Sequence, residues 1–154
     1  MRRRRPEKRT ILPDTKYNDL SVAKFINYIM ESGKKGVAEK IFYSAMELVH
    51  KKTKTDGIKI FKKGIENTSP SVEVKSRRIG GATYQVPIEV PKKRAFYLAS
   101  LWIINASKNS SGKPMSEKLA SELIAAANGD GNAIKKKEDT HRMADANKAF
   151  AHFR

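Results

Sequence analysis

The sequence has no cysteine, a single tryptophan and only three histidines among its 154 residues. Without thiols there is no disulfide framework, no cysteine nucleophile and no thiolate zinc site, which removes zinc fingers and several enzyme families together. Long apolar runs are missing as well, since none nears the ~18 residues of a membrane span. The basic start Arg2 to Arg5 leads into Pro6-Glu7-Lys8 instead of the apolar core of a secretion signal, so the chain is expected in the cytoplasm and off the membrane. Acids are scarce: 16 Asp and Glu stand against 32 Lys and Arg, a net charge of +16. No small acidic substrate calls for such an excess, whereas a polyanion rewards it through counterion release. The 39% of apolar residues suffices for one modest core, and the length suits a single domain.

The charge is concentrated in two places. Residues 1–9 hold Arg2, Arg3, Arg4, Arg5, Lys8 and Arg9 against Glu7, a local +5; residues 75–94 hold Lys75, Arg77, Arg78, Lys92, Lys93 and Arg94 against Glu89, another +5. Residues 1–18, with Pro6 and Pro13 and no helical period, read as a basic N-terminal arm whose first nine residues are expected to be disordered when free. Residues 19–154 read as one helical domain. Apolar spacing predicts helix one over Val22, Phe25, Ile26, Ile29 and Met30, with Asp19 in its first turn and Gly33 as its stop. Helix two carries Val37, Ala38, Ile41, Phe42, Ala45, Leu48 and Val49. Helix three opens at Asp56-Gly57 and ends before Ser69-Pro70, where proline bars continuation. Helix four has the stripe Ala95, Leu98, Ala99, Trp102, Ile103 and Ala106 and is expected to be the central core helix, with Trp102 inside. Helix five runs from about Met115 to Asn128-Gly129, and helix six from about Ala133 through Met143 to Phe150.

Between helices three and four, two alternating runs over about residues 72–90 flank Gly80-Gly81, which predicts a protruding β-hairpin. A three-residue loop of Gly80, Gly81 and Ala82 would set Val74 opposite Ile88, Ser76 opposite Val86 and Arg78 opposite Tyr84. That register sends Lys75, Arg77 and Gln85 outward together. A two-residue loop would instead set Val74 opposite Pro87 and exchange the faces. The fold expected is therefore mainly α: six helices, a projecting hairpin and a basic extension.

Four of these helices begin with the wrong charge. The N-terminus of a helix bears partial positive charge, so acids belong there. Yet Lys34 and Lys35 precede helix two, Lys92, Lys93 and Arg94 open helix four, Lys113 precedes helix five, and Lys135, Lys136 and Lys137 lie at the opening of helix six. A phosphate bound between free backbone N–H groups and a flanking lysine would remove the conflict. Catalytic patterns fail on inspection. Asn128, Asp130 and Asn132 alternate like a calcium loop, but Ala133 stands where the turn glycine belongs and Asp139 where the terminal glutamate belongs. Asp139 and His141, two residues apart, do not share a helical face, which leaves His141 a surface hydrogen-bonding role. Ser107 occupies the first glycine position of a phosphate-binding loop ending at Gly112-Lys113. From the residues alone, an RNA binder leads, a helical DNA-binding or nucleoid protein comes second and a metal-dependent nuclease third.

The strings AKFINYIMESGKK (Ala23 to Lys35), KSRRIGGATYQVPIEV (Lys75 to Val90) and KKKEDTHRMADANKAFAH (Lys135 to His152) closely resemble the bacterial form of small-subunit ribosomal protein seven. The resemblance runs from Ile11 to Arg154. It implies a six-helix fold with a protruding hairpin, no enzymatic activity, no cofactor, no catalytic or metal residue and no obligate homo-oligomer. It further implies binding to the 3′ major domain of 16S ribosomal RNA, nucleation of head assembly and a place near the exit-site transfer RNA. The messenger RNA path and ribosomal proteins nine and eleven would lie nearby, on a cytoplasmic or organellar ribosome. Carried onto this chain, the ribosomal RNA surface would comprise Arg2, Arg3, Arg4, Arg5, Lys8, Arg9, Gly33, Lys34, Lys35, Lys75, Arg77 and Arg78. Lys92, Lys93, Arg94, Lys113, Lys135, Lys136 and Lys137 would extend it. The tip residues Ile79, Gly80, Gly81, Ala82, Thr83 and Tyr84, with Arg142, Asn147 and Lys148, would lie nearer the transfer and messenger RNAs. The polar stretch Lys108 to Pro114 and the ending at Phe153-Arg154 depart from the family pattern.

Overall fold

The computed structural model describes residues 10–153. Among these residues six α-helices are formed: α1 (Leu20–Ile29), α2 (Lys35–Thr53), α3 (Gly57–Thr68), α4 (Lys92–Asn109), α5 (Met115–Ala127) and α6 (Asn132–Ala146). Strands β1 (Val72–Ile79) and β2 (Ala82–Glu89) lie between α3 and α4, and a 3-10 helix spans Lys148–Phe153. The chain divides into two compact units, the first ending at Lys40 and the second beginning at Ile41, so the boundary falls within α2.

In the first unit, Asp19 caps α1 by accepting the Ser21 N–H at 2.8 Å, the standard remedy for unpaired first-turn donors. The buried side of α1 is Val22, Ala23, Phe25, Ile26 and Ile29, as the spacing demands. The helix stops at Ile29, and the chain turns through Ser32 and Gly33, both at positive φ (52° and 74°), before α2 begins. Val37, on the apolar stripe of the sequence, is 54% exposed.

In the second unit, Asp56 caps α3 through the Ile58 N–H at 3.1 Å, and Ser69 ends it ahead of Pro70. Phe42 and Phe61 meet edge to face, 5.4 Å between centroids, and both are buried; burial of each such side chain stabilises by roughly 1.5–3 kcal/mol. Helices α3, α4, α5 and α6 pack on one another, and β1 lies on α6. Helix α4 buries Ala95, Leu98, Ala99, Ile103, Ile104 and Ala106, in keeping with a core helix, while Trp102 is only half-buried. Two glycines are set by close approach. A Cβ on Gly57 would lie 2.8 Å from the Met46 carbonyl oxygen, and one on Gly64 would lie 3.3 Å from the Leu123 oxygen of α5.

The hairpin register differs from the expected one. Val74 pairs with Pro87, Lys75 with Val86, Ser76 with Gln85, Arg77 with Tyr84, Arg78 with Thr83 and Ile79 with Ala82. The loop is therefore two residues long. Gly80 and Gly81 both take positive φ, +55° and +89°, which is the type I′ geometry whose twist matches that of the flanking strands. Ala82 then joins the ladder. The Ser76 and Gln85 side chains bond across the strands at 2.9 and 3.2 Å. The one-residue slip exchanges the faces. Glu73, Lys75 and Arg77 share one with Tyr84, Val86 and Ile88; Ser76, Arg78, Thr83 and Gln85 share the other.

Helix six also differs. It ends at Ala146, where the Asn147 side-chain amide donates to the Met143 carbonyl at 2.8 Å, and the chain tightens into the 3-10 helix that carries Phe150. Met143, placed on the apolar stripe by spacing, is 51% exposed.

Candidate nucleic-acid interface

Arg2, Arg3, Arg4, Arg5, Lys8 and Arg9 lie outside the described residues. In the first unit, Gly33, Lys34 and Lys35 form the exposed turn into α2. Nothing would come within 4 Å of a Cβ on Gly33, so its glycine serves the positive φ and an open backbone. Helix α2 has no acid in its first turn. Lys35 also lines a recess of about 470 Å³ with Ile11, Leu12, Pro13, Asn27 and Glu39.

The second unit sorts the remaining cations into two groups. Arg77, Arg78, Lys92 and Lys93 are exposed and have no ion-pair partner among the described residues. Arg77 and Arg78 point to opposite faces of the arm. Lys92 and Lys93 open α4, whose N-cap is Pro91, with no capping side chain and no acid in the first turn. Lys113 precedes Pro114 at the start of α5, where Glu117 supplies an acid. Lys135 and Lys136 are exposed in the second turn of α6.

Other cations expected at the interface are held by the protein. Arg94 donates through Nε and Nη2 to Glu73 Oε2, 3.3 Å each, and its guanidinium lies 5.3 Å from the Tyr97 ring centroid. Lys75 Nζ stands 3.7 Å from Glu73 Oε1. Glu73 is itself buried, at 8% exposure, so both cations compensate a carboxylate that has left water. Lys137 Nζ donates to the Asn67 carbonyl at 2.5 Å, near the end of α3, where a cation complements the helix dipole. Arg142 stands 3.6 Å from Asp139 on the same helix.

The opening of α6 is likewise not the uncompensated terminus its lysines suggested. Buried Glu122 of α5 accepts the Ala133 N–H at 2.9 Å, and a carboxylate there answers both the unpaired donor and the dipole. The conflict between cations and helix starts therefore persists at α2 and α4, is reduced at α5 and is answered within the protein at α6. Nothing in the local sequence marks Glu122 as a cap, because it lies eleven residues away on the preceding helix.

The residues expected nearer the transfer and messenger RNAs fall together in part. Tyr84 packs on Phe150 of the 3-10 helix, ring centroids 5.4 Å apart and planes tilted by 55°, which brings the strand beside Lys148 and Asn147. Phe150, expected at the end of helix six, lies instead on the 3-10 helix. Ile79 is 40% exposed at the tip, and the two glycines beside it are open to space. His141 does the surface hydrogen bonding expected of it: its Nε2 accepts the Ser71 N–H at 3.2 Å, at the root of the hairpin. Among the described residues, no three His, Asp or Glu side chains gather so as to hold a metal, and no helix is long and apolar enough to cross a membrane.

These features define a small basic helical protein that presents cations on a two-stranded arm and at helix starts. The model for the family described as ribosomal protein S7p/S5e matches residues 1–148. Small ribosomal subunit protein uS7 of Gemmatimonas aurantiaca is 58% identical over 153 residues, covering 99% of this chain and 98% of the relative. The uS7 proteins of Thermotoga maritima (56% over 154 residues, 100% and 99% covered) and of an Anaeromyxobacter species (59% over 153 residues, 99% and 98% covered) are similar over the same extent. The chain belongs to this family of small-subunit ribosomal proteins, a structural family and not one of enzymes.

Proposed function

We propose that the chain binds the 3′ major domain of the small-subunit ribosomal RNA, organises the subunit head around it, and lies close to the exit-site transfer RNA and the messenger path, with ribosomal proteins nine and eleven as neighbours. The observation that carries this reading is the set of exposed cations with no ion-pair partner among the described residues, Arg77, Arg78, Lys92 and Lys93, on the arm and at the α4 start, beside an N-terminus with no capping side chain. Cations and N–H groups fixed on a helical scaffold receive phosphates without first being ordered. Gathering distant RNA segments onto such a surface replaces mobile counterions with fixed ones and lowers the cost of their approach. Sequence is then read in the shape of the folded RNA.

The test is equilibrium binding of the full chain to a transcript of the 3′ major domain across a salt series, with an unrelated structured RNA and duplex DNA as competitors. Tight binding to the cognate transcript at physiological salt, with loss of both competitors, supports the reading. Equal affinities and equal salt slopes for all three would overturn it. Within the same series, Arg78→Ala is expected to lower the slope by about 0.7–0.9, one phosphate contact, whereas Lys137→Ala is expected to leave it unchanged because that ammonium is held by Asn67.

A further inference from the structure

Three of the contacts between the hairpin and the rest of the second unit are spread along its length. At its root, the Ser71 N–H is held by His141 of α6 at 3.2 Å. Two residues on, buried Glu73 is held by Arg94 at the start of α4, through two bonds of 3.3 Å. Much nearer the tip, Tyr84 meets Phe150, 5.4 Å between ring centroids. Glu73 and Tyr84 lie on the same face of the ribbon, so these two supports act from one side and leave Ser76, Arg78, Thr83 and Gln85 clear on the other. A two-stranded ribbon is only marginally stable alone and bends readily along its length. Two supports at the root fix where it starts; a third near the tip fixes where it points.

We propose that the C-terminal segment is the brace that aims the arm, with Phe150 as its positioning residue. The change from α-helix to 3-10 helix at Asn147 belongs to this device. The Asn147 amide closes α6 on the Met143 carbonyl, and the tighter turn that follows carries the aromatic ring to Tyr84. The His152 ring nitrogen Nδ1 lies 2.8 Å from the Ala149 carbonyl, which helps to hold the segment in this form. The orientation of Arg77, opposite Tyr84 and on the braced face, is thereby tied to residues some seventy positions later in the chain.

Amide hydrogen exchange of the free full-length protein tests this independently of any RNA, so its failure is distinct from failure of the RNA-binding reading. Phe150→Ala is expected to speed exchange of amides between Arg77 and Val86 roughly 2- to 10-fold, the range an aromatic pair commands, with α3 and α5 unchanged. Phe150→Tyr is expected to restore the parental rates. In a Tyr84→Ala background the Phe150→Ala change is expected to add nothing further, because the partner ring is already gone. Unchanged hairpin exchange in Phe150→Ala, or acceleration spread evenly over the hairpin, α3 and α5, would overturn the proposal.

Discussion

Removing the Glu122 carboxylate tests how α5 and α6 are joined in the second unit. Glu122 is 8% exposed and accepts the buried Ala133 N–H at 2.9 Å, while α6 has only Gly131 at its N-cap and no capping side chain of its own. A charge-assisted bond of this kind contributes about 1.5–3 kcal/mol, and loss of an N-cap costs about 0.5–2 kcal/mol for the same group, so the two ranges overlap and are not summed. Glu122→Ala is expected to destabilise by about 2–3 kcal/mol. Glu122→Gln keeps an acceptor but loses the charge that faces the helix dipole, a loss of about 0.3–1 kcal/mol. Gly131 probes the same bond from the other side. A Cβ there would lie 2.9 Å from Glu122 Oε1 and 3.1 Å from the Ala125 Cβ, on a backbone at φ +100° that L side chains resist. Gly131→Ala is therefore expected to destabilise too, and the double variant to lose less than the sum of the singles, since part of each loss passes through one carboxylate. Urea unfolding read by circular dichroism gives the free energies, and calorimetry should show Tm falling by roughly 4–12 °C for Glu122→Ala. A Glu122→Ala protein within about 0.5 kcal/mol of the parent, the range of ordinary surface changes, would refute the cap.

Gly57→Ala sets helix propensity against packing: alanine gains about 1 kcal/mol in a helix, but the Cβ at 2.8 Å from the Met46 carbonyl meets backbone that cannot swing away, so a net loss of about 1–2 kcal/mol is expected in the same urea assay. Thr68 is fully buried and its hydroxyl has no hydrogen-bond partner among the described residues, so Thr68→Val is expected to be neutral or to stabilise by up to about 1 kcal/mol; a loss above about 1 kcal/mol would mean that the hydroxyl is satisfied.

Much of this fold was legible because the helices obey local rules. Asp56 opens α3 as expected, Asp19 sits one residue ahead of the first turn as the cap of α1, and the stripes of α1 and α4, Trp102 apart, reappear as buried faces. The register was harder. Near the tip the strands are polar on both faces, so alternation alone does not choose between loops of two and three residues; the paired positive φ values of Gly80 and Gly81 choose, and a sequence does not display φ. The break at Asn147 was hidden as well, since the apolar spacing from Met143 to Phe150 fits a continued helix and does not show the Asn147 amide turning back to the Met143 carbonyl. For the candidate interface, position in the chain identified the cations but not which of them the protein itself engages. Lys75, Arg94 and Lys137 are engaged by Glu73 and by a backbone carbonyl, partners decided only once distant segments pack.

Asn67 has a consequence for the order in which the chain can fold. Its amide donates to the carbonyls of Ala126 and Ala127, 3.0 Å each, while its own carbonyl takes the Lys137 ammonium; these partners lie 59, 60 and 70 residues further along. During synthesis α3 therefore emerges before the partners of Asn67 exist, and the α5 backbone that Gly64 receives is absent until Leu123 has been made. The hairpin and α4 are complete in sequence long before the junction that seats them can close. Closing such wide loops is entropically slow. The hairpin cations Arg77 and Arg78 are thus synthesised before the residues that lock the helices behind them.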